Sequence, residues 1–117
     1  MQRLVVGKGN LNANTIIIGE APGSREAAEG IPFVGKSGKL LSQLLVKAGF
    51  NIEKDIYFCN VIKCRPPNNR KPTIKEVIIH KPWLMQQINL INPKFIVLTG
   101  STAMKAVLSV NESITNL

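Results

Sequence analysis

Acidic residues are scarce in this chain. Seven Asp and Glu stand against fifteen Lys and Arg, leaving a net charge of +8. Aromatic residues are few at 5%, and there are only two cysteines, Cys59 and Cys64, and one histidine, His80. Two cysteines so close together build no disulfide framework, so a reducing compartment is expected. Apolar runs are only a few residues long, which excludes a membrane-spanning helix. No basic, apolar and small-residue leader opens the chain, and the expected location is cytoplasmic. What is present is a globular balance, 44% hydrophobic and 19% charged, over 117 residues, the length of one domain. The shortage of acid points to a polyanionic partner, nucleic acid first and an anionic membrane surface second. The excess is local: Lys63, Arg65, Arg70, Lys71, Lys75 and Lys81 face only Glu76 within their stretch. A solvated basic face accounts for that charge equally well.

Hydrophobic patterning predicts alternating strands and helices. Thr15 to Ile18, ending at Gly19, reads as a strand buried on both faces. A long loop follows from Glu20 to about Ser37, with Gly23, Gly30, Gly35, Pro22 and Pro32. Leu40, Leu41, Leu44, Leu45 and Ala48 recur at helical spacing, and Gly49 is a natural stop. Ile56 to Ile62 reads as a second strand and Cys64 to Pro72 as a proline-stiffened loop. Thr73, with Glu76 three residues later, forms a capping box for a long helix whose apolar face is Val77, Leu84, Ile88 and Ile91. Pro82 is expected to kink or divide it. Phe95 to Leu98 reads as a third buried strand, and Ser101 caps a last helix to about Leu108. This order specifies an α/β fold, a three-layer open sheet of mainly parallel strands flanked by helices. Ligand sites in such sheets gather at the carboxyl ends of the strands. The unusual residues lie there, in the loops that begin at Glu20, Lys63 and Thr99.

Five features in these loops bear on chemistry. Gly30 to Ser37 matches the G-x-x-x-x-G-K-[ST] pattern of a phosphate-binding loop, which would make the chain a P-loop NTPase. No buried strand precedes it, proline and Phe33 fill its interior, and no later strand ends in an Asp for magnesium. Gly19 to Gly23, followed by Glu26 and Glu29, sets carboxylates at a strand mouth, where acids exposed on a capped turn are equally expected. Phe33, between Pro32 and Gly35, can stack on a base or plug the core. Asn60 offers a donor and an acceptor side by side. That pair matches O4 and N3–H of uracil and mismatches cytosine, although an Asn at a strand end also serves turns. Arg65, Arg70 and Lys71, on the stiff loop, suit phosphate contacts or plain solvation.

In combination, GEAPGSREAAEGIPFVGKSGKLL from Gly19, CNVIKCRPPNNRKPT from Cys59 and PWLMQQINLINPKFIVLTGSTAMKAVL from Pro82 carry a resemblance. From about Val5 to its C-terminus the chain resembles the family 4, iron–sulfur uracil-DNA glycosylases. The resemblance implies base-excision repair of uracil-containing DNA, single- or double-stranded. The nucleotide is flipped out and its N-glycosidic bond hydrolysed. It implies that Glu20 and Glu26 are catalytic, orienting water or favouring a cationic sugar. It places uracil against Ala21, Gly23, Phe33 and Asn60, and DNA phosphates on Arg65, Arg70 and Lys71.

The same resemblance implies a 4Fe–4S cluster on four cysteines. Two of them, in a Cys-x-x-Cys pair, would fall upstream of Met1. Cys64 matches the third ligand, and His80 stands where the fourth cysteine would be. Cys59 reads as a packed residue. At most two of four ligand positions remain, so this chain is expected not to hold the cluster. The family's His-Pro or His-Ser motif and its last strand would fall beyond Leu117. Residues 1–117 thus read as one truncated uracil-DNA glycosylase-like domain lacking its last strand, which bares an apolar edge at Phe95 to Leu98. Family members are monomers, whereas this chain is expected to self-associate. The alternative function is a DNA-binding remnant without catalysis.

Overall fold

A computed structural model of the chain describes residues 4–108. Four strands, β1 (Lys8–Gly9), β2 (Thr15–Gly19), β3 (Ile56–Asn60) and β4 (Phe95–Leu98), form one sheet in the order β1-β3-β2-β4. β2 pairs in parallel with both β3 and β4, and only the two-residue β1 is antiparallel. Five helices surround the sheet: α1 (Ser24–Glu29), α2 (Lys36–Lys47), α3 (Ile52–Asp55), α4 (Ile74–Ile91) and α5 (Ser101–Leu108).

The three layers follow from side chains that alternate along the central strands. Ile16, Ile18, Tyr57 and Cys59 face one way, into a core completed by Leu84, Ile88 and Ile91 of α4 and Ala103 and Ala106 of α5. Ile17, Ile56 and Phe58 face the other way, onto Leu41 and Leu45 of α2, Ile52 of α3 and Phe33. All five residues of both β2 and β3 are buried, as strands covered on two faces require.

Several expectations are corrected. The stretch from Glu20 to Ser37 is not all loop, because α1 occupies its middle and α2 begins at Lys36. β3 stops at Asn60 rather than Ile62: the Val61 and Ile62 amides turn to the Gly19 and Glu20 carbonyls at 2.9 and 3.1 Å. Pro82 does not divide α4, which runs unbroken around it. α5 takes Gly100, not Ser101, as its cap, since the Gly100 carbonyl accepts the Met104 N–H at 3.2 Å. β4 corrects the expectation of a buried strand but agrees with that of a bare apolar edge. Phe95, Ile96 and Val97 are 64, 42 and 42% exposed, because among the described residues β4 pairs only with β2. No described helix is long and apolar enough to cross a membrane.

Candidate functional site

The carboxyl ends of β2, β3 and β4 converge on a cleft of about 410 Å³. Its walls include Glu20, Ala21, Gly23, Glu26, Phe33, Asn60 and Thr99. β2 delivers Glu20 and Ala21, β3 ends on Asn60, and the loop between α1 and α2 swings Phe33 over the top. A second cleft of about 560 Å³, beside Phe50, Asp55 and Phe95, opens at the opposite end of the sheet. Its one carboxylate, Asp55, accepts the Asn51 N–H at 2.7 Å. The candidate site residues therefore gather at the first cleft.

Gly19 is its floor. A Cβ there would collide with Asn60 Oδ1 and stand 2.8 Å from Phe33 Cζ. Only a residue without a side chain lets Asn60 and Phe33 approach across β2. Asn60 is 4% exposed, yet among the described residues its side-chain amide makes no hydrogen bond. No buried side-chain polar atom of the described residues is left unpaired, so that amide opens on the cleft. A donor and an acceptor held side by side and unpaired are suited to a planar ligand with the complementary pair.

Phe33 takes the left-handed conformation, with φ of 58°, which costs an L-residue roughly 1–2 kcal/mol. Three contacts hold it there. Its ring packs on Phe58 with centroids 5.3 Å apart. Gly38 of α2 lies so close to the Phe33 backbone that a Cβ would overlap it. Glu26 fixes the residues that follow: its carboxylate accepts the Val34 N–H at 3.0 Å, the Gly35 N–H at 2.6 Å and, across α1, the Gly23 N–H at 3.0 Å. The amides that a bound phosphate would need in the Gly30 to Ser37 motif thus already hold a carboxylate of the same chain. Glu20 differs. It lines the cleft, and among the described residues its carboxylate accepts no hydrogen bond.

The cations are placed less uniformly than their spacing suggests. Arg70 forks onto Glu76 at 2.7 and 3.2 Å. Lys71 Nζ reaches Ser101 Oγ at 3.0 Å, tying the proline loop to the start of α5 on the cleft side of the sheet. Arg65 is partly buried on the same loop. Asn68 there stands at φ 56°, in the left-handed region that Asn tolerates. Lys63 leaves the basic surface altogether, being 2% exposed. Thr99, whose Oγ1 donates to the Ile18 carbonyl at 3.1 Å, is a cleft residue that sequence reasoning did not single out.

Cys64 and His80 do come together, with Sγ 3.9 Å from Nε2. The ring is oriented by the Lys63 backbone N–H, which donates to Nδ1 at 2.9 Å, and meets Trp83 edge-on. Cys59 faces the same core as Cys64 but is wholly buried within it, and burial pushes its thiol up to about 11. Among the described residues no three His, Cys, Asp or Glu side chains gather where a metal could sit. One thiol and one imidazole do not fit a four-iron cluster, which needs four ligands.

Comparison with known proteins identifies the family. The uracil DNA glycosylase superfamily model matches residues 6–116. A type-4 uracil-DNA glycosylase of Thermotoga maritima is 50% identical over 101 residues, covering 86% of this chain and 52% of the relative. That of Archaeoglobus fulgidus is 48% identical over 99 residues, covering 85 and 49%. That of Sulfurisphaera tokodaii is 45% identical over 106 residues, covering 90 and 48%. The chain spans about half the length of these relatives. A match that runs along nearly the whole chain assigns it: the chain belongs to the uracil DNA glycosylase superfamily.

Proposed function

We propose that this chain carries the uracil-recognising and water-directing part of a uracil-DNA glycosylase acting in base-excision repair. The observation that carries the reading is the unpaired Asn60 amide on the floor of a cleft kept open by Gly19 and roofed by Phe33. A uracil flipped from the helix would stack on Phe33. Asn60 Nδ2 would donate to its O4, and Asn60 Oδ1 would accept from its N3–H. Ala21 and Gly23 form the side wall. Of the two carboxylates expected to work on the sugar, Glu20 has its oxygens available to orient a water or to favour cationic character at C1′. Glu26 holds the wall against which that happens. As the water oxygen bonds to C1′, the glycosidic electron pair leaves on N1 of uracil and a water proton balances it. Arg65, Arg70 and Lys71 would hold the flanking phosphates. Arg70 exchanges Glu76 for phosphate at little cost, because an exposed ion pair is worth little.

The test is release of free uracil from a single-uracil oligonucleotide. Asn60→Ala should lower the rate by about 10²-fold or more, on the scale of losing one aligned donor. Gly19→Ala, which fills the floor, should abolish uracil preference without unfolding the chain. Release that is indifferent to both substitutions overturns the reading.

A second reading rests on His80, the one histidine, lying buried on α4 and outside the cleft lining. It is a DNA-binding remnant of the family. It requires no base release and a binding affinity that falls with salt, the slope shrinking by about one per lost phosphate contact in Arg65→Ala.

A further inference from the structure

Lys63 is the one basic side chain of the described residues that is fully withdrawn from water, and the uracil-binding reading gives it no task. Its ammonium donates to the backbone carbonyl of Asn60 at 2.5 Å and to Oε1 of Gln87. Gln87 is itself fixed, donating from Nε2 to the Val6 carbonyl at 2.7 Å and to the Tyr57 hydroxyl at 3.3 Å. The Lys63 backbone is pinned at both ends: its N–H goes to His80 Nδ1, and its carbonyl accepts the Val5 N–H at 2.6 Å. Among the described residues no carboxylate pairs with the ammonium. Burying a cation without a counter-ion is costly, so a side chain that only filled space would be better as Met or Leu.

The location explains the retention. β1 pairs with β3 only as far as Phe58, so past that residue the outer edge of β3 has no ladder partner. Asn60 is the last residue of β3, and its side chain is the one the cleft presents to a base. The peptide that follows Asn60 is held on its β2 side, where the Val61 N–H donates to the Gly19 carbonyl at 2.9 Å, but on its outer side the Asn60 carbonyl has no strand to bond among the described residues. We infer that Lys63 is a positioning residue: by clamping the Asn60 carbonyl it gives the peptide beyond the base-reading amide a second anchor, opposite the Gly19 contact, and so fixes its plane. It acts from behind the pocket and touches no ligand. This rests on the uracil-binding reading for its functional consequence, but the link between Lys63 and Asn60 can be tested without it.

Two measurements on the full chain separate the two. Nuclear magnetic resonance of the unmutated protein should show a through-hydrogen-bond coupling from Lys63 Nζ to the Asn60 carbonyl carbon. Its absence overturns the link, whatever the protein binds. The affinity for an oligonucleotide with one uracil is then compared with that for the same strand carrying cytosine. Lys63→Met should cut the uracil-over-cytosine ratio by about tenfold, a loss typical of a reading group set slightly off its position. It should leave affinity for the cytosine strand, set by phosphate contacts, unchanged, and should shift the Asn60 side-chain amide resonances. Gln87→Leu disturbs the same buried network but spares the Asn60 contact, and should keep the ratio. An unchanged ratio in Lys63→Met, or an equal loss in Gln87→Leu, overturns the positioning role. No uracil preference in the unmutated chain overturns the pocket reading and the functional part of this inference with it.

Discussion

At the scale of single residues, the site is organised by two charged side chains that do no surface work. Glu26 gathers three backbone amides from two elements. Hydrogen bonds to a charged acceptor are worth roughly 1.5–3 kcal/mol each when buried, and this carboxylate is only partly covered. Glu26→Ala should therefore lower stability by about 2–3 kcal/mol, seen as a reduced urea midpoint. A midpoint within error of the unmutated chain would show that the amides find water equally good. Neither this clamp nor that of Lys63 was legible in the sequence. Glu26 reads as a soluble acid or a catalytic one, because its partners lie eight and nine residues on, across a turn that only the fold closes. Lys63 reads as one cation of a basic run, because nothing local announces a buried carbonyl and a glutamine on α4 waiting for it. That Asn60 and Glu20 would meet at one cleft was legible, since both are polar residues at strand ends, where open sheets place their sites, and Phe33 was legible as an aromatic between Pro32 and Gly35 in the loop beside them.

At the scale of elements, α4 shows how far capping and packing carry a helix against its own sequence. Pro82 removes a ladder donor and costs a helix interior about 3 kcal/mol. Burial of His80, Leu84 and Ile91 on one side offsets it. At its start, the Thr73 hydroxyl accepts from the Glu76 N–H, and the Glu76 carboxylate accepts from the Thr73 N–H. Arg70, together with that amide, holds the Glu76 carboxyl down to about 2 from an ordinary value of 4.5. A carboxyl depressed on folding contributes stability that is present above its ordinary value and lost as pH falls through the folded one. Acid unfolding between about pH 4.5 and 2 should therefore include a component that Glu76→Gln removes, read as a flatter dependence of urea midpoint on pH. An unchanged slope would mean the box is dispensable.

The legible elements are those with apolar periodicity: β2, α2, β3, α4, β4 and α5. α1 and α3 escape because six and four residues are too few for a period to show. β1 escapes because Lys8 and Gly9 bury nothing. The exposure of β4 is not legible in its composition, which is that of a buried strand; only the resemblance, by setting the family's last strand beyond Leu117, implied the bare edge seen among the described residues.

At the scale of the whole molecule, that margin decides behaviour. A strand with exposed Phe, Ile and Val and no lysine among its four residues has none of the usual guards against edge pairing. The net charge of +8 opposes association only at low salt, since screening shortens its reach to about 8 Å at physiological ionic strength. Size-exclusion chromatography should show self-association that grows with ionic strength and is relieved by Val97→Lys. A monomer at all salt concentrations would refute it. Under the uracil-binding reading the same charge would draw DNA to the carboxyl ends of the strands, where the proline loop is tied to the start of α5. Because one carboxylate fastens both the entry of α1 and the turn into α2, the two walls of the cleft form a single cooperative unit. Opening that breaks the Glu26 contacts loosens the roof over Phe33 and the Gly23 side together. Under the uracil-binding reading a flipped base would thus meet walls already tied together rather than walls assembled piecemeal around it.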